Sequence, residues 1–204
     1  MRHSSALLVT LACVLLITAC ATIPANPHNI CDIFTEKRHW YEATRTSAER
    51  WGGPVHVPMA IMYQESAFRD DAKPPFRWLL GFVPMGRASS AYGYSQAKRD
   101  TWADYRREAG SFLSDRDDFS DAIDFIFWYM DKSRRVNGVS MWDARNQYLN
   151  YHEGHGGYAR GTYKNKTWLI NVAGQVDRRA KTYAVQYGQC EKTLDRSWLM
   201  RLIF

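Results

Sequence analysis

Met59, Ala60, Ile61, Met62 and Tyr63 follow Pro58 without a polar residue, and the first polar side chains after them are Gln64 and Glu65. Pro58 suits the first residue of a helix, because its missing N–H would find no helical partner there and its φ is already helical. A helix that is apolar all round must be covered all round. The chain therefore has to place this segment at its centre and wrap other elements about it. Glu65 lies three and four positions after Met62 and Ile61, on their face of the helix. Burial there raises a carboxyl pKa and holds the proton near neutrality, the state a general acid requires. Taken alone, Glu65 also reads as a glutamate at a helix end, turned to solvent or paired with Arg69.

The remaining pattern is helical nearly throughout. A first helix is expected over residues 35–51, stopped by Gly52-Gly53, and another over 96–109, with Trp102, Tyr105 and Ala109 at helical spacing before Gly110. The strongest spans 117–136. Its stripe is Phe119, Ala122, Ile123, Ile126 and Met130, with aspartates at its start and Lys132, Arg134 and Arg135 at its end, as the macrodipole favours; it is expected to be the central helix. Ser140 followed by Asp143 resembles a capping box with aspartate in place of glutamate, opening a helix to Tyr151. A glycine- and tyrosine-rich stretch over 152–165 then leads to a last long helix closed by Gly188. Between residues 70 and 94 Pro74-Pro75, Gly81, Pro84 and Gly86 break the periodicity, and an irregular lobe with a short hairpin is expected. The fold class is mainly α in one domain, with any sheet confined to this lobe after Glu65.

The N-terminus reads separately. Arg2 and His3 precede an apolar run from Ala6 to Ile17, the form of a signal peptide, and the run is short of the ~20 residues a membrane span needs. Ile17-Thr18-Ala19-Cys20 resembles a bacterial lipobox, which implies cleavage before Cys20 and its acylation; ordinary secretion with an unmodified Cys20 is the alternative. Thr22 is not the aspartate that implies inner-membrane retention in such lipoproteins, so a periplasm-facing outer-membrane address is expected. The organisation is then a leader over 1–19, Cys20 and a tether over 20–30, a domain over 31–190 and an amphipathic tail over 191–204. An oxidising compartment favours a Cys31–Cys190 disulfide over two free thiols. The precursor carries a formal charge of +6, or 6 − 1 = +5 without Arg2. This suits an anionic polymer or membrane surface. No basic run, zinc-finger spacing or RNA-binding aromatic motif accompanies it, so nucleic acid is not expected as a partner.

Three short motifs carry the chemistry. Glu65-Ser66 ends the apolar helix with Tyr63-Gln64 ahead of it, Gly93-Tyr94-Ser95-Gln96 follows the irregular lobe, and Asn150-Tyr151-His152-Glu153-Gly154 precedes the last helix. In order and approximate position over residues 58–187 the chain resembles the soluble lytic transglycosylase family. That resemblance implies a lysozyme-like α+β domain with a glycan strand of peptidoglycan in a groove between lobes. It implies Glu65 as the acid that protonates the glycosidic oxygen between MurNAc and GlcNAc and then, ionised, as the base toward the muramic acid's own C6 hydroxyl, leaving a 1,6-anhydro sugar. Gln96 and Gly93 carry over as sugar-binding or supporting positions and Tyr151 as a hydroxyl near the catalytic carboxyl, with a core aromatic as the other reading of Tyr151. Ser66, Tyr94, His152 and Glu153 complete the expected substrate-binding set, and Tyr92, Tyr158 and Tyr163 are further candidates to stack on sugar rings.

Two departures from the family's pattern matter. The segment over 67–92 is longer and more apolar than usual, and His152-Glu153 stands where Asn-Ala is commoner. Glu153, with Asp70 or Asp71, would be able to activate water, which keeps a lysozyme-type hydrolase as an alternative. A third reading is a catalytically silent glycan-binding lipoprotein in an envelope assembly with a protein partner; an acid on a buried helix speaks against it. The spacing of His152, Glu153 and His155 is not that of a helical zinc-protease motif, and neither metal nor cofactor is expected. Leu194, Trp198, Leu199 and Leu202 share one side of the tail, which either docks on its own domain or touches a membrane surface or partner.

Overall fold

The structure is a computed structural model that describes residues 23–80 and 83–203. The expected leader and Cys20 lie outside the described residues. The Asn29 side chain accepts from the backbone N–H groups of Cys31 and Asp32 and caps helix α1, Ile30–Glu36. Lys37 leaves helical geometry at φ −110° and ψ 69°, and α2 runs over Arg38–Trp51. The periodicity had suggested one helix from residue 35; α1 is only two turns long, and its inward residues Ile30, Ile33 and Phe34 are too few to register as a period. The expected tether is already bound from Pro24 onward. Ala25 N–H donates to Glu36 at 2.8 Å, Asn26 Nδ2 to Asp32 at 2.7 Å, and the Tyr183 hydroxyl to the Pro27 carbonyl.

Helix α3, His56–Ser66, is the apolar helix, and every residue from Val57 to Met62 is buried. Pro58 is its third residue, still in the turn whose N–H groups have no helical partner. No glycine stops it. Ala67 and Phe68 instead take left-handed backbones, φ 51° and 62°, at a cost of roughly 1–2 kcal/mol each. The burial of Phe68 against Trp40 and Tyr63 offsets that strain. Strands β1, Phe76–Leu79, and β2, Val83–Arg87, then pair antiparallel, Phe76 with Arg87 and Leu79 with Val83, as the expected hairpin.

Helix α4 spans Arg99–Glu108 and α5 spans Phe119–Asn137. All of α5 from Ala122 to Met130 is buried, so it is enclosed rather than striped, at the centre of the molecule. The Asp118 side chain caps its start by accepting from Asp121 N–H. Phe119 stacks on Trp40 of α2 at 4.1 Å and 3°. Asp124, on the inner side of α5, accepts from Arg50, the Trp51 indole and the Tyr105 hydroxyl at 2.8–2.9 Å. Three donors make that burial tolerable.

Helix α6 is Ala144–Glu153, and its cap is Asp143, which accepts from Asn146 N–H at 3.0 Å. The capping box read from Ser140 thus starts one turn too early; the Ser140 hydroxyl instead accepts from Trp142 N–H in the preceding turn. A short helix α7, His155–Ala159, and a 3-10 turn over Thr162–Asn165 lead into α8, Thr167–Ile203. Gly188 does not close α8. The cost of a glycine inside a helix is about 1 kcal/mol, and contacts beyond it hold the continuation: the Cys31–Cys190 disulfide, the buried Leu194, and Asp195, which accepts from Tyr41 and Arg45. The tail as far as Asp195 therefore docks on its own domain. No described helix is long and apolar enough to cross a membrane. The architecture is a mainly helical, lysozyme-like single domain in which α3 is enclosed by α5, α6 and α8.

Candidate active site

Glu65 stands on the last turn of α3 and opens into a cavity of about 330 Å³. The opposite wall comes from α5 through Phe125 and Tyr129, and from the end of α6 through Tyr151, His152 and Glu153; Gln96 and Lys98 of the turn before α4 form a third side. Larger hollows of about 570 and 650 Å³ lie elsewhere, and neither reaches Glu65. Chemistry, not size, selects the smaller one.

Burial pushes the Glu65 carboxyl up to about 7, opposed by the nearby Tyr148 hydroxyl, which favours the ionised form. Tyr148 is itself buried, 5 % exposed, on α6. The site thus has a carboxyl that is protonated in part at neutral pH, with a tyrosine hydroxyl beside it. This is what proton transfer to a bound oxygen and back requires.

The other expected residues divide into two groups. Tyr151 lines the cavity, but its hydroxyl donates to the Ser95 carbonyl at 2.6 Å and its ring packs on Tyr129 at 5.0 Å. It braces the Gly93–Gln96 turn against α6. Gln96 also lines the cavity; its amide N–H groups reach the Ala72 and Gly93 carbonyls at 2.8 and 2.9 Å, which leaves its own carbonyl as the group able to meet a ligand. His152 and Glu153 are at the wall as well. Glu153 accepts from Lys166 at 2.7 and 2.8 Å, from His152 Nδ1 at 3.1 Å and from the Thr162 hydroxyl. Burial raises its pKa, but these three donors outweigh it and hold the carboxyl at about 2.

Contrary to expectation, Tyr94, Ser66 and Gly93 do not line the cavity. Tyr94 is 2 % exposed, edge-on to Trp40 and Phe119 at 5.6 and 5.7 Å, so no ring face remains for a sugar. The Ser66 hydroxyl donates to the Met62 carbonyl of its own helix at 3.3 Å. Gly93, at φ +75°, would place a Cβ 2.0 Å from the Arg116 carbonyl oxygen; its bare backbone serves the packing of two loops and not a ligand. Tyr158 and Tyr163 stack on each other at 5.2 Å, and the Tyr92 hydroxyl donates to Asp117 at 2.9 Å. Asp70 and Asp71 are not among the residues around Glu65. Among the described residues no three His, Cys, Asp or Glu side chains gather as a metal site. Tyr148 was missed by sequence reasoning. Its signal was its position, three residues before Tyr151 and so on the same side of α6.

A helical, lysozyme-like domain with one partly protonated carboxyl in a polar cavity defines a class of glycan-cleaving proteins. The profile of the family described as "Transglycosylase SLT domain" matches residues 8–190, most of the chain, and the chain belongs to that family. The family is one of glycan-cleaving transglycosylases acting on peptidoglycan strands. Comparisons with curated proteins and with solved structures each found no match.

Proposed function

We propose that this protein is a lytic transglycosylase that cleaves the MurNAc–GlcNAc bond of peptidoglycan without consuming water, with Glu65 as acid and then base. The observation that carries the reading is the Glu65 carboxyl, held at about 7, lining a cavity together with Gln96 and Tyr151. Protonated Glu65 gives its proton to the glycosidic oxygen as that bond breaks. The carboxylate so formed takes the proton of the C6 hydroxyl as that oxygen bonds to the anomeric carbon, and the enzyme returns to its starting state. The engagement of Glu153 supports this over the hydrolase: a carboxylate at about 2, with its oxygens on Lys166, Thr162 and His152, is a poor base for water. We further propose that Cys20 is acylated and that the enzyme is an outer-membrane lipoprotein facing the periplasm, on the strength of the lipobox-like Ile17–Cys20.

The test is digestion of purified sacculi by the protein and by Glu65→Gln, with released fragments read by mass spectrometry. Anhydro-ended fragments from the first and none from the second are expected. Reducing ends would make the protein a hydrolase, and binding without release by either would make it a silent glycan binder. Labelling with a palmitate analogue, lost in Cys20→Ala, tests the anchor.

A further inference from the structure

Trp168, the second residue of α8, leaves 56 % of its surface in water while its neighbour Leu169 is fully buried. Its ring stands edge-on to His152 at 5.2 Å and 80°, and His152 is part of the wall of the Glu65 cavity. Trp168 is thus in ring contact with that wall through His152. One exposed aromatic is ordinary in itself. What surrounds this one is not.

The pair is fixed from both sides by one carboxylate. Glu153, its side chain only 4 % exposed, holds Lys166 at 2.7 Å and His152 Nδ1 at 3.1 Å. Lys166 immediately precedes α8 and His152 lies on the last turn of α6, so this ion pair ties the start of one helix to the end of the other. The indole and the imidazole are set against each other before any ligand arrives. With Nδ1 on Glu153, His152 Nε2 has no hydrogen-bond partner among the described residues. The result is a largely exposed indole beside an imidazole with one unpaired nitrogen.

That combination suits a pyranose whose ring substituents are equatorial. Such a ring offers a face of C–H groups to an aromatic surface and hydroxyls around its rim, and a preorganised platform avoids the ordering cost of binding. We propose that Trp168 and His152 form an additional sugar subsite, which holds a β-1,4-linked N-acetylhexosamine unit of the strand outside the two sugars that flank the scissile bond. The proposal rests on the glycan-cleaving reading of the Glu65 cavity. It assigns to Trp168 a share in the length of strand the enzyme grips, not in the bond-breaking step.

Trp142 is the internal comparison. It is 67 % exposed, also beside a histidine, His56, at 5.7 Å, but borders a hollow that does not contain Glu65. The test measures binding of β-1,4-N-acetylglucosamine oligomers of two to six units to the full chain carrying Glu65→Gln, which cannot turn over. It is repeated with Trp168→Ala, Trp168→Phe and Trp142→Ala added, each checked for an unchanged melting temperature. Trp168→Ala is expected to weaken the hexamer about tenfold and to leave the dimer unchanged, as for loss of one stacked ring. Trp168→Phe should restore most of the affinity, and Trp142→Ala should change nothing. Unchanged hexamer binding in Trp168→Ala, or an equal loss in Trp142→Ala, overturns the subsite while the Glu65 reading stands. Failure of every form to bind any oligomer overturns the glycan reading and the subsite with it.

Discussion

The Tyr148 hydroxyl neighbours the Glu65 carboxyl from α6, one helical turn before Tyr151, and favours its ionised form. Two opposing influences therefore set the acid: burial favours its protonated form and Tyr148 its ionised form. Because the protonated form starts the reaction, cleavage should decline as pH rises through about 7. Tyr148→Phe removes the influence that favours ionisation. Its decline should move to higher pH by about one unit, which a pH–rate profile on sacculi will show.

Glu65 should also cost stability. Its folded-state pKa, about 7, is raised above the ordinary 4.5, so the stability it contributes is complete below 4.5 and is lost as pH rises through 7. Glu65→Gln keeps the neutral form at every pH. The variant should match the parent at pH 4 and exceed it at pH 8 by about 1–3 kcal/mol, allowing for partial solvent access, as read by urea unfolding.

Glu153 has the opposite sign. Its folded pKa of about 2 lies below 4.5, so its contribution is present above 4.5 and is lost as pH falls through 2. Lys166→Met leaves that carboxylate with Thr162 and His152 only. A loss of about 1–3 kcal/mol at pH 7 is expected, short of the cost for a fully buried pair because Lys166 is 40 % exposed. A loss below about 0.5 kcal/mol would show that the pair does not tie α6 to α8.

Two glycines with positive φ should separate conformational cost from steric cost. Gly138, at φ +68°, has open space around its absent Cβ, and Gly138→Ala should cost about 1 kcal/mol. Gly93→Ala meets the Arg116 carbonyl at 2.0 Å and should cost more than about 3 kcal/mol and displace the turn that carries Gln96. Thermal melts of the two variants make the comparison.

Apolar runs and caps were legible in the sequence because they depend on neighbours within a turn or two. Met59 to Met62 demanded enclosure, which placed Glu65 at the end of a buried helix, and the aspartates before Phe119 marked the start of α5. The end of the last helix failed because the deciding partners are remote. Gly188 reads locally as a helix stop, yet Cys31, Tyr41 and Arg45 carry α8 past it.

The site divides in the same way. Residue type and spacing brought Glu65 into view, the resemblance to the family added Gln96 and Tyr151, and all three line the cavity. The identity of the carboxyl's partner, the loss of Tyr94 to the core and the capture of Glu153 by Lys166 follow from which helix faces meet. A side chain's direction along its own helix is local and periodic. Its partner is chosen by the packing of elements that lie scores of residues apart, and that choice, which sets Glu65 beside Tyr148 in the cavity, belongs to the tertiary structure alone.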